Sequence, residues 1–276
     1  MAHAKNVTID IGDGAAIPRK KDKGMFDAWW VSLFLCLGIA GVLLTVWGDT
    51  FQPILAFLAD GIPVTFQVTI GGILGALFIG LFAGLGRISK VRVINLACST
   101  YIEVVRGIPL LVQLMFIYFG LGALFMNLPQ TNFLFVYLKN MPPMHAAITA
   151  MSICYGAYMG EVFRAGIESI EHGQTEAARS LGFTSGQTMR YIILPQAWRT
   201  ILPPVGNEFI ALLKDSSLVS ILAVADILRR GREYVSVTFQ SFESYAMVAL
   251  VYLFITLILS KLVSIMEARL SHYVRD

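Results

Sequence analysis

Charge is scarce in this chain. Asp, Glu, Lys and Arg make up 14% of its 276 residues, against 56% in the hydrophobic set, and the mean hydropathy is +0.69. That composition lies far from ordinary soluble domains and excludes a disordered segment or a nucleic-acid-coating protein. Basic residues exceed acidic ones by only 21 to 18, too small a surplus to point to a polyanionic partner. Cysteine is nearly lacking: Cys36, Cys98 and Cys154 form no CxxC pair, which excludes a disulfide framework and leaves them as packing residues. The histidines His3, His145, His172 and His272 are too scattered for a metal site, and no HExxH, GxSxG or GxxxxGK[ST] string occurs. Nothing therefore supports hydrolysis or ATP binding by the chain itself.

What is present is long apolar runs. A bilayer core of roughly 30 Å takes about 20 apolar residues as helix, because lipid offers an open backbone no partners. Residues 28–47 carry no charge, and 62–86 carry none until Arg87 closes the run. Further runs cover 108–126, 144–166 with Glu161 and Arg164 near one end, and 245–266 with Lys261 near enough to its end to snorkel. Residues 197–222 are less apolar, owing to Glu208, Lys214 and Asp215. The expected fold class is all-α, a polytopic membrane protein with six transmembrane helices. Residues 28–47 start too late and lack the small-residue cleavage site of a signal peptide, so they read as a retained span. Trp29, Trp30 and Trp47 near its ends suit an interfacial belt.

Loop charges set the orientation, since Lys and Arg near short loops stay cytoplasmic. Lys5, Arg19, Lys20, Lys21 and Lys23 precede the first span; Arg87, Lys90, Arg92 and Arg106 fall in the next loop on that side; Arg179, Arg190 and Arg199 follow the fourth span; Arg269 and Arg275 end the chain. Residues 48–61 hold no Lys or Arg and 127–143 only Lys139, so both termini are expected in the cytoplasm. Segment 222–244 disagrees, being external in this scheme yet holding Arg229, Arg230 and Arg232; pairing of Arg230 and Arg232 with Asp226 or Glu233 would reconcile it. The domain reading is a flexible tail 1–24, an added helix and external loop 25–61, a core 62–270 and a tail 271–276.

Residues 168–195, between the fourth and fifth spans, have a folded pattern. Helix formers over 174–181 stop at Gly182, which suits a left-handed helix end. Thr184-Ser185-Gly186-Gln187 has capping-box form, and the helix it starts is expected to stop near Pro195. Two short helices joined at a glycine make a compact knob.

In that knob, Glu176-Ala177-Ala178, then Gly182, Ile192 and Leu194-Pro195, resemble at every signature position the cytoplasmic loop of permease subunits of binding-protein-dependent ABC importers. Around it, 158–167 (YMGEVFRAGI), 171–174, 194–197 (LPQA), 202–207 (LPPVGN), 213–218 (LKDSSL) and 101–121 are similar to the polar-amino-acid branch, the histidine and glutamine type. The resemblance covers about residues 60–270. It implies a type I importer permease fold in a bacterial inner membrane, with residues 28–47 as an added peripheral helix. The implied partners are a second permease, the same chain or a paralogue, two ATP-binding subunits and an external solute-binding protein. A polar amino acid is the implied cargo, ATP and magnesium belong to the ATPase subunits, and this chain holds no cofactor. The seven signature residues would couple to the ATPase, Ala177 and Ala178 leaving room for close approach and Glu176 offering a charge, so that the knob moves as a rigid body.

A charge at mid-bilayer costs on the order of 2.5 to 3.5 kcal/mol on insertion scales, so charges inside spans need an explanation. Glu103 with Arg106, and Glu161 with Arg164, are three apart and are expected to form local bracing pairs. Glu208, Lys214 and Asp215, with Asn207, Ser216 and Ser217, form a polar stripe that suits a substrate path or gate, or a subunit interface. Gln113 and Tyr118 are candidates to line a cavity, or to pack in the core. Gly71 with Gly75, and Gly80 with Gly84, give a small face for helix contact. A stand-alone secondary transporter or channel would need matched repeats with interrupted helices, and an intramembrane enzyme a clustered catalytic set; the sequence offers neither.

Overall fold

The structure, a computed structural model, describes residues 28–124 and 133–272. The expected tail 1–24, most of 271–276, and Met126 with part of the 127–143 loop lie outside the described residues. Helix α1 (Ala28–Val46) is followed by α2 (Gly48–Ala59) and α3 (Gly61–Arg87). Helix α4 (Arg92–Gly107) turns through 102° into α5 (Leu110–Met115), a π-helical turn (Phe116–Gly120) and α6 (Leu121–Leu124). After α7 (Phe133–Lys139), α8 (Pro143–Glu168) leads to the short α9 (His172–Ser180) and α10 (Ser185–Thr188). A second π-helical turn (Met189–Ile193) joins α11 (Leu194–Asp215), which a 3-10 helix (Ser216–Leu222) extends. Helices α12 (Ile227–Thr238) and α13 (Ser241–His272) complete the chain; no strand occurs among the described residues.

Three stretches are long and apolar enough to cross a membrane: Ala28–Val46, Gly48–Arg87 and Ser241–Leu270, or four if the bent pair Arg92–Gly107 and Leu110–Leu124 is one span. The expected count of six is not reached on that criterion. Helices α8 and α11 stand where spans were expected; α8 is largely buried among the other helices, where protein replaces lipid, and α11 is made less apolar by Arg199, Glu208, Lys214 and Asp215. The buried face of α8 is built of Ala146, Ala147, Ala150, Ser152, Cys154 and Gly156, with further small residues beyond. Two expected loops are helical. Residues 48–61 form α2, whose Phe51, Ile54 and Leu58 pack with Ile227, Met247 and Val248, and 87–106 form most of α4. The helix begun at Thr184 does not stop near Pro195 either. Pro195 falls in the first turn of α11, where no intrahelical donor is required, and the π-turn absorbs the change of register, with the Leu194 N–H bonded to the Met189 carbonyl.

The most extensive interface in the chain is between α3 and α8. It is a seam of close backbone approach. A Cβ on Gly80 would overlap the Met159 Cβ and come within 3.0 Å of the Gly156 carbonyl oxygen; one on Gly84 would lie 2.7 Å from the Gly160 carbonyl oxygen. The glycine face read from the four-residue spacing therefore packs within the chain. Away from α9 and α10, Asp226 caps α12, accepting from the Arg229 N–H at 2.9 Å and the Leu228 N–H at 3.3 Å, while the Tyr252 hydroxyl donates to it at 3.2 Å. Arg229 and Arg230 both pair with Glu233, at 2.8 and 3.2 Å. Of the pairings expected of Arg230 and Arg232 with Asp226 or Glu233, that of Arg230 with Glu233 forms; no ion pair of Arg232 occurs among the described residues, and Glu233 is shared by Arg229 and Arg230.

Two outcomes follow. Gly80→Val forces overpacking worth about 1–3 kcal/mol and lowers the thermal midpoint in detergent, whereas Gly173→Ala, where a Cβ would meet nothing within 4 Å, leaves it unchanged. Burial pushes the Asp226 carboxyl up to about 6 from an ordinary 3.8. The fold favours the protonated acid, so this group's contribution is complete below about pH 4 and is lost as pH rises through 6. Asp226→Asn keeps a capping oxygen and is expected to gain on the parent chain in thermal midpoint between pH 4 and 7; a difference that is flat with pH would refute the assignment.

Candidate functional site

Two regions gather the polar and signature residues. The first is the hairpin of α9 and α10. Helix α9 ends with Gly182 at φ 86°; the Phe183 N–H bonds the Ala178 carbonyl at 3.1 Å and the Gly182 N–H bonds the Arg179 carbonyl at 2.9 Å. This is the double bond pattern of a glycine-terminated helix. The next helix starts in the expected capping box: Thr184 Oγ1 accepts from the Gln187 N–H at 3.3 Å, and Gln187 Oε1 accepts from the Thr184 N–H at 2.9 Å. Gln196 Nε2 donates to the Ile192 carbonyl at 2.9 Å and to Gln174 Oε1 at 3.4 Å, tying α11 back to α9.

Of the seven signature residues, Ala178 is buried and Ile192 half-buried, whereas Glu176, Ala177, Gly182, Leu194 and Pro195 are exposed. Leu181 at the tip is 78% exposed. The knob thus presents a mixed surface, with Leu181 at its tip and the exposed side chains of Glu171, Glu176, Arg179 and Arg190 around it. Its core side is seated by Ala178, Thr188 and Ile193.

The second region is a cleft of about 260 Å³ among α4, α8 and α11, in which Arg106, Tyr158, Glu161, Thr200 and Glu208 are set among the less polar Val162, Ala165, Gly166 and Pro204. Pro204 removes the helical donor to the Thr200 carbonyl, which keeps a polar backbone atom beside the cleft. Arg106 stacks on Tyr158, its guanidinium carbon 5.0 Å from the ring centroid. The expected Glu103–Arg106 pair does not form; Glu103 lies 4.0 Å from Arg87. The Glu161–Arg164 pair does form, and it is part of a larger clamp: Arg87 Nη1 reaches Glu161 Oε2 at 2.6 Å, and Arg164 also bonds Glu168. Arg87, at the end of α3, was missed as a partner because its carboxylate is 74 residues away.

The stripe on α11 divides into two faces, since residues seven apart on a helix nearly eclipse. Glu208 and Asp215 share one face; Asp215 accepts from the Tyr155 hydroxyl of α8 at 2.8 Å. Asn207 and Lys214 share the other; Asn207 Nδ2 lies 3.5 Å from Glu267 Oε1, while Lys214 is exposed. Ser216 is buried and donates to the Leu213 carbonyl at 2.7 Å, and Ser217 is half-buried in the 3-10 helix.

Neither Gln113 nor Tyr118 lines this cleft, but Gln113 lines a separate, mainly apolar groove of about 490 Å³ with Val105, Ile108, Val112 and Ile153, as expected of a cavity residue. Pro109, lacking an N–H, cannot bond the Val105 carbonyl, and Gln113 Nε2 supplies that donor at 2.9 Å and another to the Ile108 carbonyl at 2.8 Å. Gln113 therefore braces the bend. Tyr118 packs edge-on to Phe119 in the π-turn. No cluster of metal-ligating residues occurs among the described residues.

With this geometry in view, comparison with known proteins is informative. The family described as "Binding-protein-dependent transport system inner membrane component" matches residues 76–272. The chain is 38% identical over 218 residues to the glutamine transport system permease protein GlnP of Escherichia coli K12, covering 79% of this chain and 94% of that protein. It is 39% identical over 214 residues to the probable amino-acid permease protein YxeN of Bacillus subtilis, covering 78% and 91%. A crystal structure of an amino acid ABC transporter with histidines superposes with a TM-score of 0.70 at 40% identity, covering 81% of this chain and 97% of that one.

The hairpin's local geometry makes its own test. A left-handed non-glycine residue costs about 1–2 kcal/mol. Gly182→Ala, with open space around the added methyl, is therefore expected to raise amide exchange at Gly182 and Phe183 about tenfold, read by hydrogen exchange. Unchanged rates would mean that α9 does not end this way in solution.

Proposed function

The chain belongs to the family of binding-protein-dependent transport system inner membrane components, and we propose that it is the permease subunit of an ATP-driven importer of a polar amino acid. The cargo reading rests on the glutamine and amino-acid permeases that it is similar to. Its six spans are α1, α3, the bent unit from α4 to α6, α8, α11 with its 3-10 extension, and α13, with both termini in the cytoplasm. A second copy or a paralogue completes the path, two ATP-binding subunits sit below, and an external solute-binding protein delivers cargo. The chain performs no bond chemistry; ATP and magnesium are bound by the ATPase subunits.

The observation that carries this reading is the hairpin of two short helices, each closed at its end by a local cap. Capped at both helices and tied by Gln196 to Gln174, it transmits displacement to α8 and α11 without bending. ATP binding closes the ATPase subunits, their grooves carry residues 174–195 along, and the paired permeases open outward; hydrolysis returns them inward. The cleft supports the cargo reading by its chemistry. Arg106 suits a carboxylate, Glu208 an ammonium, and Asp215 lies one heptad further along the same face.

Uptake into proteoliposomes holding the complete complex is expected to require ATP on the hairpin side. Glu176→Arg, at an exposed position, is expected to cut that uptake at least tenfold while leaving the thermal midpoint of the complex unchanged. Equal uptake by the variant, or ion-driven uptake without the ATPase, would defeat the proposal.

A further inference from the structure

Helix α1 lies against α13 with one face half-buried, Cys36 being its one buried residue, and the rest exposed. At its start, Trp29 Nε1 donates to the Leu257 carbonyl at 2.8 Å. There the Lys261 ammonium lies 4.7 Å from the Trp29 ring centroid and 5.7 Å from that of Trp30. Lys261 has no ion pair among the described residues. This end of α13 is the end that α9 and α10 occupy, because α13 runs back toward it after α12.

Further along, a groove of about 450 Å³ opens between α1 and α13, lined by apolar side chains that include Leu37, Ala40, Leu44, Phe254 and Ile255. Leu37 and Phe254 are 46% and 39% exposed, so the groove is open to its side. From Lys261 to Ile255 is about 9 Å of helix rise, less than half of a roughly 30 Å bilayer core. A chain anchored at Lys261 reaches into the groove.

We propose that this is a phospholipid site that takes an anionic headgroup on Lys261 beside Trp29 and Trp30 and lays one acyl chain in the groove between α1 and α13. The charge is complementary: the Lys261 ammonium, which has no ion pair among the described residues, is flanked by two indoles near a helix end, where aromatic and basic residues meet the headgroups. The groove gives the headgroup site an apolar continuation, so soluble phosphate alone would leave most of it empty.

The test is native mass spectrometry of the purified complex, delipidated and titrated with phosphatidylglycerol or phosphatidylcholine. One lysine near an anionic surface is worth about 1 kcal/mol, so phosphatidylglycerol is expected to be retained about fivefold more than phosphatidylcholine. Lys261→Gln should abolish that preference and Lys261→Arg preserve it. Ala40→Phe, which fills the groove, should release both lipids with helical content unchanged. Inorganic phosphate should not displace the bound lipid. Equal retention of the two lipids by the parent complex, a preference that survives Lys261→Gln, tight lipid in Ala40→Phe, or displacement by phosphate would each overturn the assignment.

Discussion

The structure depends on one constraint: inside lipid, helices gain nothing hydrophobic by leaving the tails for one another, so they associate by close packing. In this chain that packing is concentrated in the α3–α8 seam. Gly75, Gly80 and Gly84 on one side meet Ser152, Met159 and Gly160 on the other at separations where a side chain on α3 would overlap. The contact brings two backbones together over about 14 Å of helix rise, and it sets where α3 and α8 end on the hairpin side. Arg87 comes off the end of α3 at the level of Glu161 on α8, and the ion pair between them fixes the last turn of the seam. The hairpin then hangs from α8 and returns as α11.

That arrangement explains why the knob is stiff although it is small. A two-helix excursion of this length has little core of its own, so its rigidity has to come from satisfied ends. Both ends are satisfied by local chemistry, a glycine closing α9 and a Thr–Gln box opening α10. The passage into α11 is made by a π-turn instead of a break. The chain from α10 into α11 is therefore one continuous helical path.

The local part of this was legible in the sequence and the tertiary part was not. Gly182 and the Thr184–Gln187 box declare themselves within a few residues, and the glycines of α3 do so by a spacing of four. Helices α2 and α4 were read as loops because amphipathic helices carry polar residues at the frequency of loops. The role of Gln113 needed knowledge that the chain turns at Pro109; the only available signal was an amide four residues after a proline. Arg106 and Glu103 have the spacing of a pair, yet each finds a partner outside the helix, Tyr158 for one and Arg87 for the other. Spacing permits a local bond, but tertiary competition decides it.

The polar residues of α11 carry the argument furthest. On the face toward α8, Asp215 is held by Tyr155 and Glu208 looks into the cleft with Arg106, so those charges have protein groups to meet. On the other face Asn207 approaches Glu267 of α13, but Lys214 extends from a helix of spanning length without any bond among the described residues. A lysine in that position cannot rest against lipid at the cost that insertion scales give. The surface around Lys214 has to adjoin water or another polypeptide. Asn207 and Lys214 therefore mark a face of α11, about 100° round the helix from the cleft, whose charge has to be met by water or by protein.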